Sequence, residues 1–152
     1  MALGQLGFKV LDVYIIKMAR LFCVIDCKKP VSPQAVSYIT KRLKTFSVSV
    51  FVNNSIHMYV KSIINDLFSI SDGSTTLLSL IEKVLKVGDT GNWADEEDTT
   101  LLIITDDDAE QVSNVVQVKD LIKKKRLDDW NVIFMGSKKV ASLLNLNLVA
   151  EC

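Results

Sequence analysis

Three places in the chain gather oxygen donors of the kind that hold hard cations or move protons: Asp26, the Asp72-Gly73-Ser74-Thr75 turn, and Thr105-Asp106-Asp107-Asp108. Asp26 and Thr105 each close a short, almost wholly apolar run, and Ser74-Thr75 opens a segment of helical period. Two carboxylates from different strand ends plus a hydroxyl at a helix start make an oxygen-rich site that suits Mg²⁺. The same residue types are also favoured as strand-end turns and helix caps on conformational grounds alone. Residue type and spacing leave both readings open.

The elements that must position these residues follow from hydrophobic period. Residues 21–25, 48–52, 101–104 and 132–135 are nearly continuous apolar runs, ending at Asp26, Asn53, Thr105 and Gly136. Strands covered on both faces read this way, because neither face meets water. Between them lie amphipathic stretches. Residues 33–46 begin with Ser32-Pro33, a cap followed by proline in the first turn, and repeat Val36, Ile39, Leu43 and Phe46. Residues 75–87 repeat Leu77, Leu80, Ile81, Val84 and Leu85 and are expected to stop at Gly88; residues 112–127 carry Val115, Val118 and Ile122 on one face. Residues 54–60 alternate and read as a hairpin partner to the preceding strand. Strands alternating with helices predict an α/β domain with a three-layer, doubly wound, mostly parallel sheet and one antiparallel edge strand. Residues 20–152 form that domain and residues 1–19 an extension packing on it. In such sheets ligands sit beyond the carboxyl ends of the strands, where Asp26, Thr75 and Asp106 arrive.

Composition narrows the function. The chain has 152 residues with 18 Lys+Arg against 18 Asp+Glu and a formal net charge of zero, so no general polyanion binder is expected, nucleic acid included. No window holds the roughly 18 apolar residues of a membrane span. Lys9, Asp12 and Lys17 interrupt the apolar start of the chain, so no signal peptide is expected. Three cysteines (Cys23, Cys27, Cys152) make no even disulfide framework, and a cytoplasmic location is expected. With His57 the single histidine, neither a zinc site nor a nucleophile–histidine pair is expected. The run Lys123-Lys124-Lys125-Arg126 reads as a solvated helix end that suits the helix dipole. Trp93 stands beside Asp95–Asp98 in a polar loop, where it either tucks onto the body or is offered to a partner. The neutral total hides an uneven layout: residues 89–110 carry nine acids and no Lys or Arg, and residues 119–139 carry seven bases against three acids. The acidic stretch is expected largely at the ligand-binding rim.

In order and spacing, these residues resemble the von Willebrand factor type A family, whose pattern is a strand ending in Asp-x-Ser-x-Ser, a Gly-Gly-Thr-type turn opening a helix, and a strand ending in Thr-Asp-Gly. Here residues 21–25 lead to Asp26, Gly73-Ser74-Thr75 opens a helix, and residues 101–104 lead to Thr105-Asp106. The tail, Asp129-Trp130-Asn131 through Gly136 and then Leu146-Asn147-Leu148, looks like the end of the compact bacterial and phage members. The resemblance covers about residues 20–150 and implies a Rossmann-like fold and a metal-ion-dependent adhesion site with Asp26, Thr75 and Asp106 as surviving ligands.

The departures imply that this site is degenerate. The two serine positions hold Lys28 and Pro30, and Asp107 stands where the family has glycine. An ammonium and Mg²⁺ in one small site repel by roughly 4 kcal/mol per unit-charge pair at 4 Å and an effective dielectric of 20. The expectation is therefore a site without a cofactor, Mg²⁺ being the ion if any binds, in which Lys28 neutralises Asp26 and Asp106. The implied function is a non-catalytic module that binds or assembles with another protein, with a basic surface favoured. Asp26, Lys28, Ser74, Thr75, Asp106, Asp107 and Trp93 would make the contact; oligomeric state is left open. The competing reading is a PIN-like, metal-dependent nuclease using Asp26, Asp106 and Asp108, against which stand the neutral charge and the Lys28-Lys29 pair. A receiver-like domain is weaker still, because the second strand ends at Asn53.

Overall fold

The computed structural model describes residues 19–67, 70–90 and 98–151. In chain order the elements are β1 (Ala19–Asp26), α1 (Pro33–Arg42), β2 (Phe46–Val52), β3 (Ser55–His57), α2 (Val60–Asp66), α3 (Leu77–Thr90), β4 (Thr99–Thr105), α4 (Val115–Leu127), β5 (Asn131–Met135), α5 (Lys138–Leu144) and β6 (Asn147–Ala150). They build one six-stranded sheet in the order β3-β2-β1-β4-β5-β6. Only β3 runs antiparallel, paired to β2 through Val50↔His57 and Val52↔Ser55. The fold is a Rossmann-like α/β fold with a mostly parallel sheet and one antiparallel edge strand. β1 begins at Ala19, one residue inside the stretch read as an extension; residues 1–18 and Trp93 lie outside the described residues. Among the described residues no helix is long and apolar enough to cross a membrane.

The continuous apolar runs are explained by two cores, one on each face. Along β1, Leu21, Cys23 and Ile25 point into a core closed by Ala35 and Ile39 of α1 and Ile63 of α2, with Leu67 just beyond that helix. Phe22 and Val24 point the other way, into a core closed by α3, α4 and α5 through residues such as Leu80, Ile81, Val118, Ile122 and Val140. With helices on both faces, the period-2 alternation of a half-exposed strand disappears.

Element ends differ from the periodicity in instructive ways. The helix expected to reach residue 46 stops at Arg42, and Phe46 opens β2, paired with Ala19. Phe46 packs on the same core as Val36 and Leu43, so its burial fits either state and sheet pairing decides. α3 starts two residues later than expected because Thr76 and Ser79 form a reciprocal cap: the Ser79 N–H donates to Thr76 Oγ1 at 3.1 Å and the Thr76 N–H to Ser79 Oγ at 2.9 Å. It also runs through Gly88 to Thr90 instead of stopping. Gly88 is there for space, since a Cβ would lie 2.8 Å from Trp130 Cη2. That ring is itself stacked on Phe22 with centroids 5.5 Å apart. α4 starts at Val115, after Asn114 in a left-handed conformation, and not at residue 112. The basic run at its end is not wholly solvated: Lys125 is buried, its Nζ 3.3 Å from Asp128 Oδ2 and 4.9 Å from the Trp130 ring centroid.

Candidate functional site

β1 lies between β2 and β4, so the chain leaves the sheet centre in both directions and the topological switch falls at the carboxyl ends of β1 and β4. Register places Asp26 directly opposite Thr105 there. Immediately beyond, the loop after β4 reaches back to the loop after β1. Asp106 accepts the backbone N–H of Lys28 through Oδ1 and that of Lys29 through Oδ2, both at 2.9 Å. Each carboxylate oxygen is thereby tied to the backbone of the other loop. The ammonium of Lys28 turns to Asp107, 3.5 Å from its Oδ1, while the Asp107 N–H donates to Thr105 Oγ1 at 3.1 Å. Lys28, Lys29, Pro30, Ser32 and Asp106 line a rim cavity of about 320 Å³.

Asp26 is half-buried, and burial is the main cause that lifts its carboxyl above the ordinary range. The negative charges of Asp107 and Asp106 push in the same direction, opposed by a hydrogen bond from the Ser71 side chain and by the Lys28 ammonium. Lys28 thus makes its contact with Asp107, and serves Asp26 at longer range. Across the rim, the segment 70–75 is fastened by Ser71, which period and motif did not flag, and by Asn53, which ends the apolar run of β2. The Ser71 N–H donates to the Cys27 carbonyl at 2.6 Å. The Asn53 amide donates to the Ile70 carbonyl at 3.1 Å and its oxygen accepts the Asp72 N–H at 3.0 Å. Asn53 has a positive φ of 52°, which asparagine tolerates better than most residues; the Asn53-Asn54 pair after an apolar run was the only sequence signal for it. Asp72 accepts the Ser74 N–H at 2.8 Å, and the Ser74 hydroxyl, helped by this backbone bond, holds its carboxyl below the ordinary range.

The structure therefore brings Asp26, Lys28, Asp106 and Asp107 together, with Ser71 as an addition. Ser74 is exposed, its backbone used in the turn. Thr75 precedes the capping residue Thr76, so its hydroxyl is not consumed by the helix; Thr75 Oγ1 is buried and among the described residues has no hydrogen-bond partner. Asp108 goes elsewhere: its N–H is taken by Gln111 Oε1 at 2.8 Å, and it lines a separate cavity of about 450 Å³ with Lys138 and Lys139. The acidic stretch 89–110 divides as well. Asp106 and Asp107 sit at the rim, but the Asp98 carbonyl accepts the Arg20 N–H at 2.7 Å where β1 and β4 begin, at the opposite edge.

The residues present do not fit a divalent cation of the adhesion-site kind. Lys28 and Pro30, at the two positions where the resemblance would call for serine oxygens, offer none, and both Asp106 oxygens face N–H groups. Among the described residues no three of His, Cys, Asp or Glu are grouped so as to hold a metal ion. Fold and rim together define the class: a Rossmann-like domain whose switch-point loops are bound to each other by hydrogen bonds and an ion pair. No protein-family model matches the chain, and no curated protein matches it either.

Proposed function

We propose that the chain is a non-catalytic protein-binding module of the von Willebrand type A kind, working without a metal ion at its rim. The observation that carries this reading is the pair of 2.9 Å bonds from the Lys28 and Lys29 N–H groups to Asp106, with the Lys28 ammonium on Asp107. Together they supply the positive charge and the loop-to-loop bridge that an ion would otherwise give. A rim so closed offers shape and charge to a partner but no open metal position at which water or substrate could be activated. The half-buried Asp26 supplies an acceptor for a basic side chain of that partner. A cytoplasmic setting goes with this reading.

Calorimetric titration with Mg²⁺ and Mn²⁺, combined with affinity capture in the presence and absence of EDTA, tests it. The expected result is no metal binding and a captured partner that survives EDTA but is lost on Asp26→Ala. Tight Mn²⁺ binding abolished by Asp106→Ala overturns the reading. So does cleavage of labelled single-stranded RNA in Mn²⁺ that Asp106→Asn removes, which would establish the nuclease alternative.

A further inference from the structure

The other concentration of charge lies on α4. Lys119, Lys123 and Arg126 follow one another at spacings of four and three residues and share one stripe of that helix. They line a cavity of about 420 Å³ against Leu144 and Asn145 at the end of α5. Its floor is apolar, made by Ile122 and Leu144, both almost wholly buried. Among the described residues Asp120 is the single carboxylate in its wall. Among the described residues none of the three cationic side chains makes an ion pair or a hydrogen bond. The helix dipole accounts for cations in the last turn of α4, where Arg126 lies, but not for Lys119 and Lys123, which lie outside that turn. Like charges four residues apart destabilise a helix, a cost that a bound anion would reverse.

The shape of this charge selects its ligand. Seven residues of helix span roughly 10 Å, too far for one phosphate to touch all three cations. Carboxylates on alternate residues of an extended chain stand about 7 Å apart and can serve the stripe in turn, while the residue between them faces the apolar floor. Val116 and Leu127, 69% and 77% exposed, flank the stripe at its two ends and suit a protein chain better than a polynucleotide. We propose that the groove between α4 and the end of α5 is a second docking surface, for an extended acidic segment of a partner protein that alternates carboxylates with apolar residues. It is independent of the rim.

The probe is a fluorescein-labelled peptide alternating glutamate and leucine, followed by fluorescence anisotropy on the full chain. Salt-sensitive binding is expected, weakened about tenfold or more by Lys119→Glu with Lys123→Glu. Lys61→Glu on α2 and Asp106→Ala at the rim should leave it unchanged, so that failure here and failure of the rim reading are distinguishable. Both charge reversals are at exposed positions, and an unaltered circular dichroism melt confirms that the variant is folded. Absence of peptide binding overturns the proposal, as does equal loss with Lys61→Glu. Tighter binding of a labelled single-stranded oligonucleotide through the same two lysines also overturns it, in favour of a polynucleotide surface.

Discussion

The carboxylate of Asp106 receives the backbone N–H of Lys28, 78 residues away in sequence, at 2.9 Å. The contact uses the main chain of Lys28 and leaves its ammonium for Asp107. Two consequences separate cleanly. The backbone bonds do not depend on residue 28 being lysine, whereas the ion pair does.

Asp106→Ala removes two charge-assisted acceptors at once and should destabilise the protein by about 1–2 kcal/mol, the exposed setting keeping the loss at the low end. Asp106→Asn keeps one acceptor oxygen and should lose about half as much. Lys28→Ala should cost less than either, because its ammonium is largely in water. Urea unfolding of the three variants checks the order, and a Lys28→Ala loss equal to that of Asp106→Ala would contradict it.

Asp26 gives a pH signature with a definite sign. Its folded carboxyl sits above the ordinary value, so the native state holds its proton more tightly than the unfolded chain does. The stability linked to that proton is present below the ordinary carboxylate value and is lost as pH rises through the raised one. Asp26→Asn should therefore be more stable than the wild type at about pH 7, with the difference shrinking towards about pH 4. Thermal melts across that range decide; a difference that does not change with pH refutes the assignment.

Gly88→Ala sets two effects against each other. Alanine favours an α-helix by about 1 kcal/mol, but the new Cβ would meet Trp130, whose ring is held by Phe22 on one side and approached by the Lys125 ammonium. Overpacking of about 1–3 kcal/mol should win, lowering stability and altering tryptophan fluorescence. A stabilised Gly88→Ala would mean that the Trp130 ring shifts freely.

Lys125 offers a test of stem against charge. The side chain is buried, but its ion-pair partner Asp128 is 57% exposed, so packing of the aliphatic stem should dominate. Lys125→Met should be nearly neutral and Lys125→Ala should cost about 1–2 kcal/mol in urea unfolding. Equal losses would point to the charge.

The sheet was legible because β1, β4 and β5 are sealed on both faces, which writes itself into the sequence as unbroken apolar runs. The edge hairpin was legible from the alternation over residues 54–60 only in part, since β3 ends at His57 and Val60 already opens α2. What period could not resolve were residues with the same burial in either state, such as Phe46, and residues placed for a distant neighbour, such as Gly88 and Lys125. At the rim, Asp26, Asn53 and Thr105-Asp106 stood out as polar residues at the ends of apolar runs. Ser71, and the side-chain bonds by which Asn53 holds Ile70 and Asp72, did not, because they engage backbone groups of a loop whose path no local pattern encodes.

β1 has the centre of the sheet, with β2 on one side and β4 on the other, and its Arg20 meets Thr99 across 79 residues. During synthesis this strand gains its first neighbour early, yet its second edge stays open until the ribosome has passed residue 99. For that interval the nascent chain presents an unpaired, apolar strand edge, the feature that drives aggregation of incomplete sheets. Contacts of such long separation also slow folding relative to local ones. The chain's vulnerable moment is therefore early in its production, and truncation before β4 should yield insoluble product even though β1, α1 and β2 are all present.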